Sequence, residues 1–110
     1  MKRFFLFLVA IIFLGFSSAN AETFRGNVNA CNGQSRFIFK GASGQFELYQ
    51  NGERTAYGTY DLNRAQRQIT LTVVVNGQTG KWLLTNVSFS NNGAFMQAHF
   101  NREIYYLCRN

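Results

Sequence analysis

Ile69-Thr70-Leu71-Thr72-Val73-Val74-Val75-Asn76-Gly77-Gln78-Thr79-Gly80-Lys81-Trp82-Leu83-Leu84 is the stretch that decides the fold. Ile69, Leu71, Val73 and Val75 alternate with polar Gln68, Thr70 and Thr72, the period-two signature of a half-buried strand. Asn76-Gly77 supplies the two positive-φ residues of a type I′ turn. A two-residue turn there sets Leu71 opposite Trp82 and Ile69 opposite Leu84, so two apolar pairs fall on one face. Pattern and turn chemistry agree on a β-hairpin.

Outward from this hairpin the same grammar repeats. Glu22 to Cys31 reads as a strand with Phe24, Gly26, Val28 and Ala30 on one face, followed by a turn at Asn32-Gly33. Ser35–Lys40, Gln45–Gln50 and Glu53–Leu62 read as the next three strands, the last two joined at Asn51-Gly52. Between these two, alternation conflicts with the turn. Phe46 would face Tyr57, yet Ala56, Gly58, Tyr60 and Leu62 form the more inward-looking set. Either Tyr57 points inward or a bulge shifts the register, with Gly58 as the candidate position. After the central hairpin, whose second strand can run on through Val87 and Phe89, Ala94–Phe100 and Glu103–Arg109 pair across Asn101-Arg102. That turn sets Ala98 opposite Tyr105 and Met96 opposite Leu107. Eight short strands in succession predict an all-β, antiparallel up-and-down barrel, whose closure removes the sheet edges. A two-sheet β-sandwich is the alternative.

Met1-Lys2-Arg3, an apolar run from Phe4 to Phe16 and the close Ala19-Asn20-Ala21 are the three parts of a secretory signal peptide. The run is shorter than the ~20 residues of a membrane span. Cleavage after Ala21 leaves one small domain, 22–110, that does not span a membrane, in a secreted or periplasmic setting. Cys31 and Cys108 both lie in that part, and two cysteines in a small exported domain read as a disulfide. The loop it closes is nearly the whole domain, and the chain-entropy model gives about 4.5 kcal/mol for it. One tension accompanies this pairing. In a strict meander Cys31 ends its strand at one rim and Cys108 at the other, so the bond requires strand stagger. Metal binding is not expected, because two thiolates and His99 fall short of a closed zinc site.

Gly58-Thr59-Tyr60-Asp61-Leu62, followed by Ile69-Thr70-Leu71-Thr72 and preceded by the hairpin Gln45 to Tyr57, resembles the corresponding run of small exported lipocalin-like (calycin-type) domains. The resemblance implies a small β-barrel. Size, signal and a first-to-last disulfide are also similar to the periplasmic lysozyme inhibitors of small-barrel type. The chain lacks the Ser-Gly-x-x-Tyr loop by which that family enters the enzyme cleft, so no inhibitory residues carry over. A basic inhibitor would also meet basic lysozyme with unfavourable steering.

Catalytic chemistry finds little support. His99, the single histidine, sits in an alternating strand with no acid nearby in sequence. Asp61 is the only aspartate, and Glu53 and Glu103 follow turns. No Gly-rich phosphate loop precedes a helix, and no cofactor is indicated. Asn86-Val87-Ser88 is a glycosylation sequon that matters only in a eukaryotic secretory host. Charge says more. Without Lys2 and Arg3, nine basic residues face five acidic ones, a net +4. On an up-and-down meander, loops 41–44, 63–66 and 91–93 share one rim with both termini. Lys40, Arg64, Arg67 and Arg109, with Arg25 beside them, then make that rim positive, which suits phosphate, sulfate or carboxylate groups. The other rim mixes Arg54 and Arg102 with Glu53 and Glu103.

The sequence therefore predicts a non-enzymatic exported binding module. Its expected partner is an envelope or secreted protein, or an anionic polysaccharide or lipid headgroup, met through the basic rim; no specific nucleic acid is indicated. The alternative is a carrier of a small apolar ligand, which predicts an internal cavity lined by Phe37, Phe39, Trp82 and Leu84. A secreted hydrolase would instead show acids gathered in a cleft.

Overall fold

In the structure, a computed structural model describing residues 22–108, Asn76 and Gly77 adopt φ of 51° and 77° and close the central hairpin. Ile69 pairs with Leu84 and Leu71 with Trp82, as the turn dictates. The described residues form eight strands and no helix: β1 Val28–Asn32, β2 Ser35–Phe39, β3 Gln45–Gln50, β4 Glu53–Asn63, β5 Gln68–Val75, β6 Gln78–Phe89, β7 Phe95–Phe100 and β8 Glu103–Leu107. Each pairs antiparallel with the next, and β8 returns to β1, so the sheet is a closed barrel and not a sandwich. The proposed signal peptide and Arg109 lie outside the described residues. No helix among the described residues is long and apolar enough to cross a membrane.

The sequence expectations need correction at three places. The first strand starts at Val28, not Glu22. Residues 22–27 instead form a strap across one barrel end, where Leu62 N–H donates to Glu22 O at 2.9 Å. Phe24 drops from the strap into the barrel and is 4% exposed. The second correction concerns β3 and β4. Leu48 pairs with Ala56 but Tyr49 with Arg54, so Thr55 is the extra residue and the bulge is there, not at Gly58. Tyr57 consequently faces out, and Ala56, Tyr60 and Leu62 face in. Gly58 serves closeness instead: a Cβ on it would lie 1.8 Å from Thr72 O. Third, the β6–β7 register slips twice, at Asn86 (φ 50°) and at Met96. The first slip turns Val87 inward, and the second leaves Met96 out on the surface while Phe95 is buried. The β7–β8 pairing stops at Gln97 with Tyr106, short of Met96 with Leu107.

The barrel interior is a column of aromatic rings. Phe24 lies 5.7 Å from Phe39, Phe39 5.6 Å from Phe37, Phe37 5.4 Å from Phe100, and Phe100 5.3 Å from Trp82. Rings at such spacings gain from edge and offset contacts beyond their burial. A small barrel has an interior just wide enough for side chains to fill. Phe37, Phe39 and Leu84 have no exposed surface. The volume expected for an internal ligand is thus occupied, and Trp82 stands at the barrel mouth.

Stagger reconciles the cysteines. β1 and β8 share only the pairs Ala30 with Leu107 and Cys31 with Tyr106. Cys108 N–H donates to Asn29 O at 2.9 Å, and Asn32 Nδ2 donates to Ile104 O at 2.9 Å beyond the short ladder. Cys108 then stands diagonally from Cys31 with Cα atoms 5.1 Å apart, and the two form a disulfide. Such a bond belongs to an oxidising, non-cytoplasmic environment.

Candidate functional site

Alternating hairpins give the barrel two unlike ends. At one end are the strap and the loops 40–44, 64–67 and 90–94. The strap is pinned from below by Tyr60, whose hydroxyl accepts from Phe24 N–H at 3.0 Å and donates to Lys40 O at 3.2 Å. Burial, opposed by the Phe24 hydrogen bond, raises the Tyr60 pKa above its ordinary value. Gly41 allows the strap to lie directly on the loop, since a Cβ there would come within 2.5 Å of Phe24 O and 2.6 Å of Gly26 O. Gly41 N–H donates to Asn27 Oδ1 at 3.2 Å.

Between the strap, the 92–94 loop and the end of β8 lies a cleft of about 520 Å³. Arg25 and Arg64 contribute positive charge to its walls and Glu22 one carboxylate, and Phe95, Val28 and Leu107 contribute apolar surface. Leu107 faces inward by strand parity and pairs with Ala30, yet it is 49% exposed and adds apolar surface to the cleft wall.

The structure separates the cations that the sequence grouped. Arg64 donates from one guanidinium nitrogen to Gly93 O at 3.1 Å, with its guanidinium carbon 4.6 Å from the Phe89 ring centre. Arg67, at φ 57°, donates from Nε to Val87 O at 3.2 Å, and its own carbonyl accepts from Val87 N–H at 3.0 Å. Arg64 thus ties the 63–67 loop to the 90–94 loop and Arg67 ties it to the β6 bulge, both through main-chain carbonyls, which leaves their charge uncompensated. Lys40 differs. Its Nζ lies 3.8 Å from Glu47, a carboxylate that Arg54 also reaches at 3.1 Å, on the outer face of β3 and β4. These two are the only ion pairs among the described residues, so Arg25, Arg64 and Arg67 have no carboxylate partner there. Arg109 is outside the described residues.

The other tyrosines, Lys81 and His99 lie away from this cleft. Tyr105 is buried with Tyr60, and burial likewise raises its pKa, opposed by a hydrogen bond with Ser35 and reinforced by Glu103. Tyr49 lies on the outer face against Arg36, and Lys81 donates to Thr72 Oγ1 at 2.8 Å. His99 pairs with Ile104 and Thr85 within the sheet.

No protein-family model, curated protein or solved structure matches the chain. The lipocalin-like resemblance therefore stands on the architecture alone, an eight-stranded antiparallel barrel.

Proposed function

We propose that this protein is an exported, calycin-like binding module, without enzymatic activity, whose strap end meets acidic groups on an envelope or extracellular macromolecule. The observation that carries this reading is that Arg25 and Arg64 line one cleft, where Glu22 is the single acidic side chain, with Arg67 on the adjoining 63–67 loop, and that none of the three arginines forms an ion pair among the described residues. Guanidinium groups of this kind bind carboxylate, sulfate or phosphate by paired N–H donors. Arg64 is anchored on Gly93 and Phe89, so its remaining donors are held in place beforehand, and little side-chain entropy is lost on binding. The carrier reading has no comparable support, since Phe37, Phe39 and Leu84 fill the space the ligand would need.

Arg25 gives the cleanest test because it lines the cleft and has no role in holding the loops. Retention on heparin, a sulfated probe, and on alginate, a carboxylated one, should fall with rising salt. Arg25→Glu should weaken binding about three- to tenfold at low salt. Unchanged retention of that variant would remove the strap end as the contact surface.

A further inference from the structure

The opposite end of the barrel carries a surface of different chemistry. Trp82 stands between two concavities. One, of about 530 Å³, lies toward the barrel mouth and is lined by Leu48, Phe100 and Leu83 with Gln50, Thr55 and Asn101 as its polar groups. The other, of about 330 Å³, lies toward the β5–β6 turn with Asn76, Gln78 and Thr79. Val75 and Trp82 border both, so the two are lobes of one groove. Neither lining contains an ionisable side chain, although the neighbouring turns carry Glu53, Arg54, Arg102 and Glu103.

We infer that this groove is a binding site for a neutral oligosaccharide, with Trp82 between successive sugar units. The chemistry of the lining selects that occupant. A pyranose ring has apolar C–H faces that lie against an aromatic ring, and a hydroxyl edge that needs both donors and acceptors. Carboxamides are the side chains that offer both. The groove pairs the indole and Phe100 with four of them: Gln50 and Asn101 on one side, Asn76 and Gln78 on the other. Thr55 Oγ1 donates to Gln50 Oε1 at 3.0 Å, which orients that amide, and among the described residues its nitrogen has no hydrogen-bond partner. Asn76 and Asn101 are held at φ of 51° and 52° in their turns, so their amides project from fixed backbone. An acidic or basic ligand would find no countercharge in this lining, and a purely apolar one would desolvate the amides without replacing their hydrogen bonds. Both lobes fall in the range of small-ligand sites. This site is independent of the basic strap end, and it adds a sugar-recognising surface to the module.

Trp82 is the only tryptophan, so its emission reports on the groove alone. The chain with its disulfide intact would be titrated with chitotetraose, cellohexaose and maltohexaose up to about 10 mM, the weak end of useful affinity. We expect a saturable emission change with at least one of them, its midpoint unmoved between low and high salt. Gln50→Ala combined with Asn101→Gly, a pair that keeps the turn's positive φ accessible, should raise the midpoint about tenfold. In the unaltered protein the side-chain amide NMR signals of Gln50 and Asn101 should shift along the same titration, a readout independent of how the variant folds. Absence of a saturable response to all three sugars would overturn the assignment. So would a salt-dependent midpoint, unmoved amide signals, or a response that survives the double substitution. Emission that changes with protein concentration alone would instead make the groove a contact between copies of this chain.

Discussion

Single residues decide how the two ends of the barrel are held. Tyr60 is the clearest case, because one hydroxyl supports both the strap and the 40–44 loop. Tyr60→Phe should cost about 1–3 kcal/mol by leaving the Phe24 N–H buried without a partner, measurable by urea unfolding. The same hydroxyl makes stability depend on pH. Burial raises the pKa of Tyr60 and Tyr105 in the folded state, so above about pH 10 the unfolded chain loses these protons first. Their contribution is complete below that pH and is lost as pH rises through the folded values. Unfolding midpoints should therefore fall on the alkaline side, and a pH series on Tyr60→Phe should show a shallower fall. Gly58 is the second decisive residue. Gly58→Ala should cost on the order of 3 kcal/mol or more, since its Cβ would meet main-chain Thr72 O at 1.8 Å. A denaturant midpoint near that of the unaltered chain would contradict this. The sequence marks Gly58 as special but for another reason: a glycine that admits a neighbouring strand and one that hosts a bulge look alike until the partner strand is known.

At the scale of elements, legibility follows locality. The Asn51-Gly52, Asn76-Gly77 and Asn101-Arg102 turns all take positive φ at both residues, and the pairings adjoining them are those the sequence predicts. Turn chemistry is a property of two adjacent residues, so it can be read directly. Bulges at Thr55, Asn86 and Met96 answer to the curvature of a closed barrel, which no local pattern encodes. The strap reads as a strand in the sequence because Phe24, Gly26, Val28 and Ala30 alternate as a strand would. Only the last two belong to one, while Phe24 is placed by packing on Phe39, Tyr60 and Phe95. Phe24→Ala should cost about 3 kcal/mol, the lower end for such a truncation because the strap can settle into part of the space. Hydrogen exchange should then quicken at Phe24 and Leu62 amides while the β5–β6 ladder stays protected. Exchange that rises equally everywhere would mean that the strap and the barrel are one cooperative unit.

For the whole molecule, closure is the central physical event, and its weakest seam is also its covalent one. Seven residue pairs join β5 to β6, but only two join β1 to β8. The disulfide between Cys31 and Cys108 ties that seam and spans 77 residues of chain. Replacing both cysteines by serine should destabilise the domain by about 4.5 kcal/mol in the chain-entropy model. Amides of β1 and β8 should be the first to lose protection. The basic end was likewise legible in part. Hairpin alternation puts Arg64 and Arg67 at the strap end, but the bond of Arg67 to Val87 O depends on the β6 bulge and that of Arg64 to Gly93 O on the path of the 90–94 loop, and neither is visible in the sequence.

The most direct test of the proposed function is an amide NMR map of the folded, disulfide-bonded chain titrated with alginate at low salt. Shifts should be confined to the strap, the 63–67 loop and the 90–94 loop, and should fade as salt rises. Shifts centred on the aromatic interior, or spread over the outer sheet faces with the strap unmoved, would contradict the proposed function.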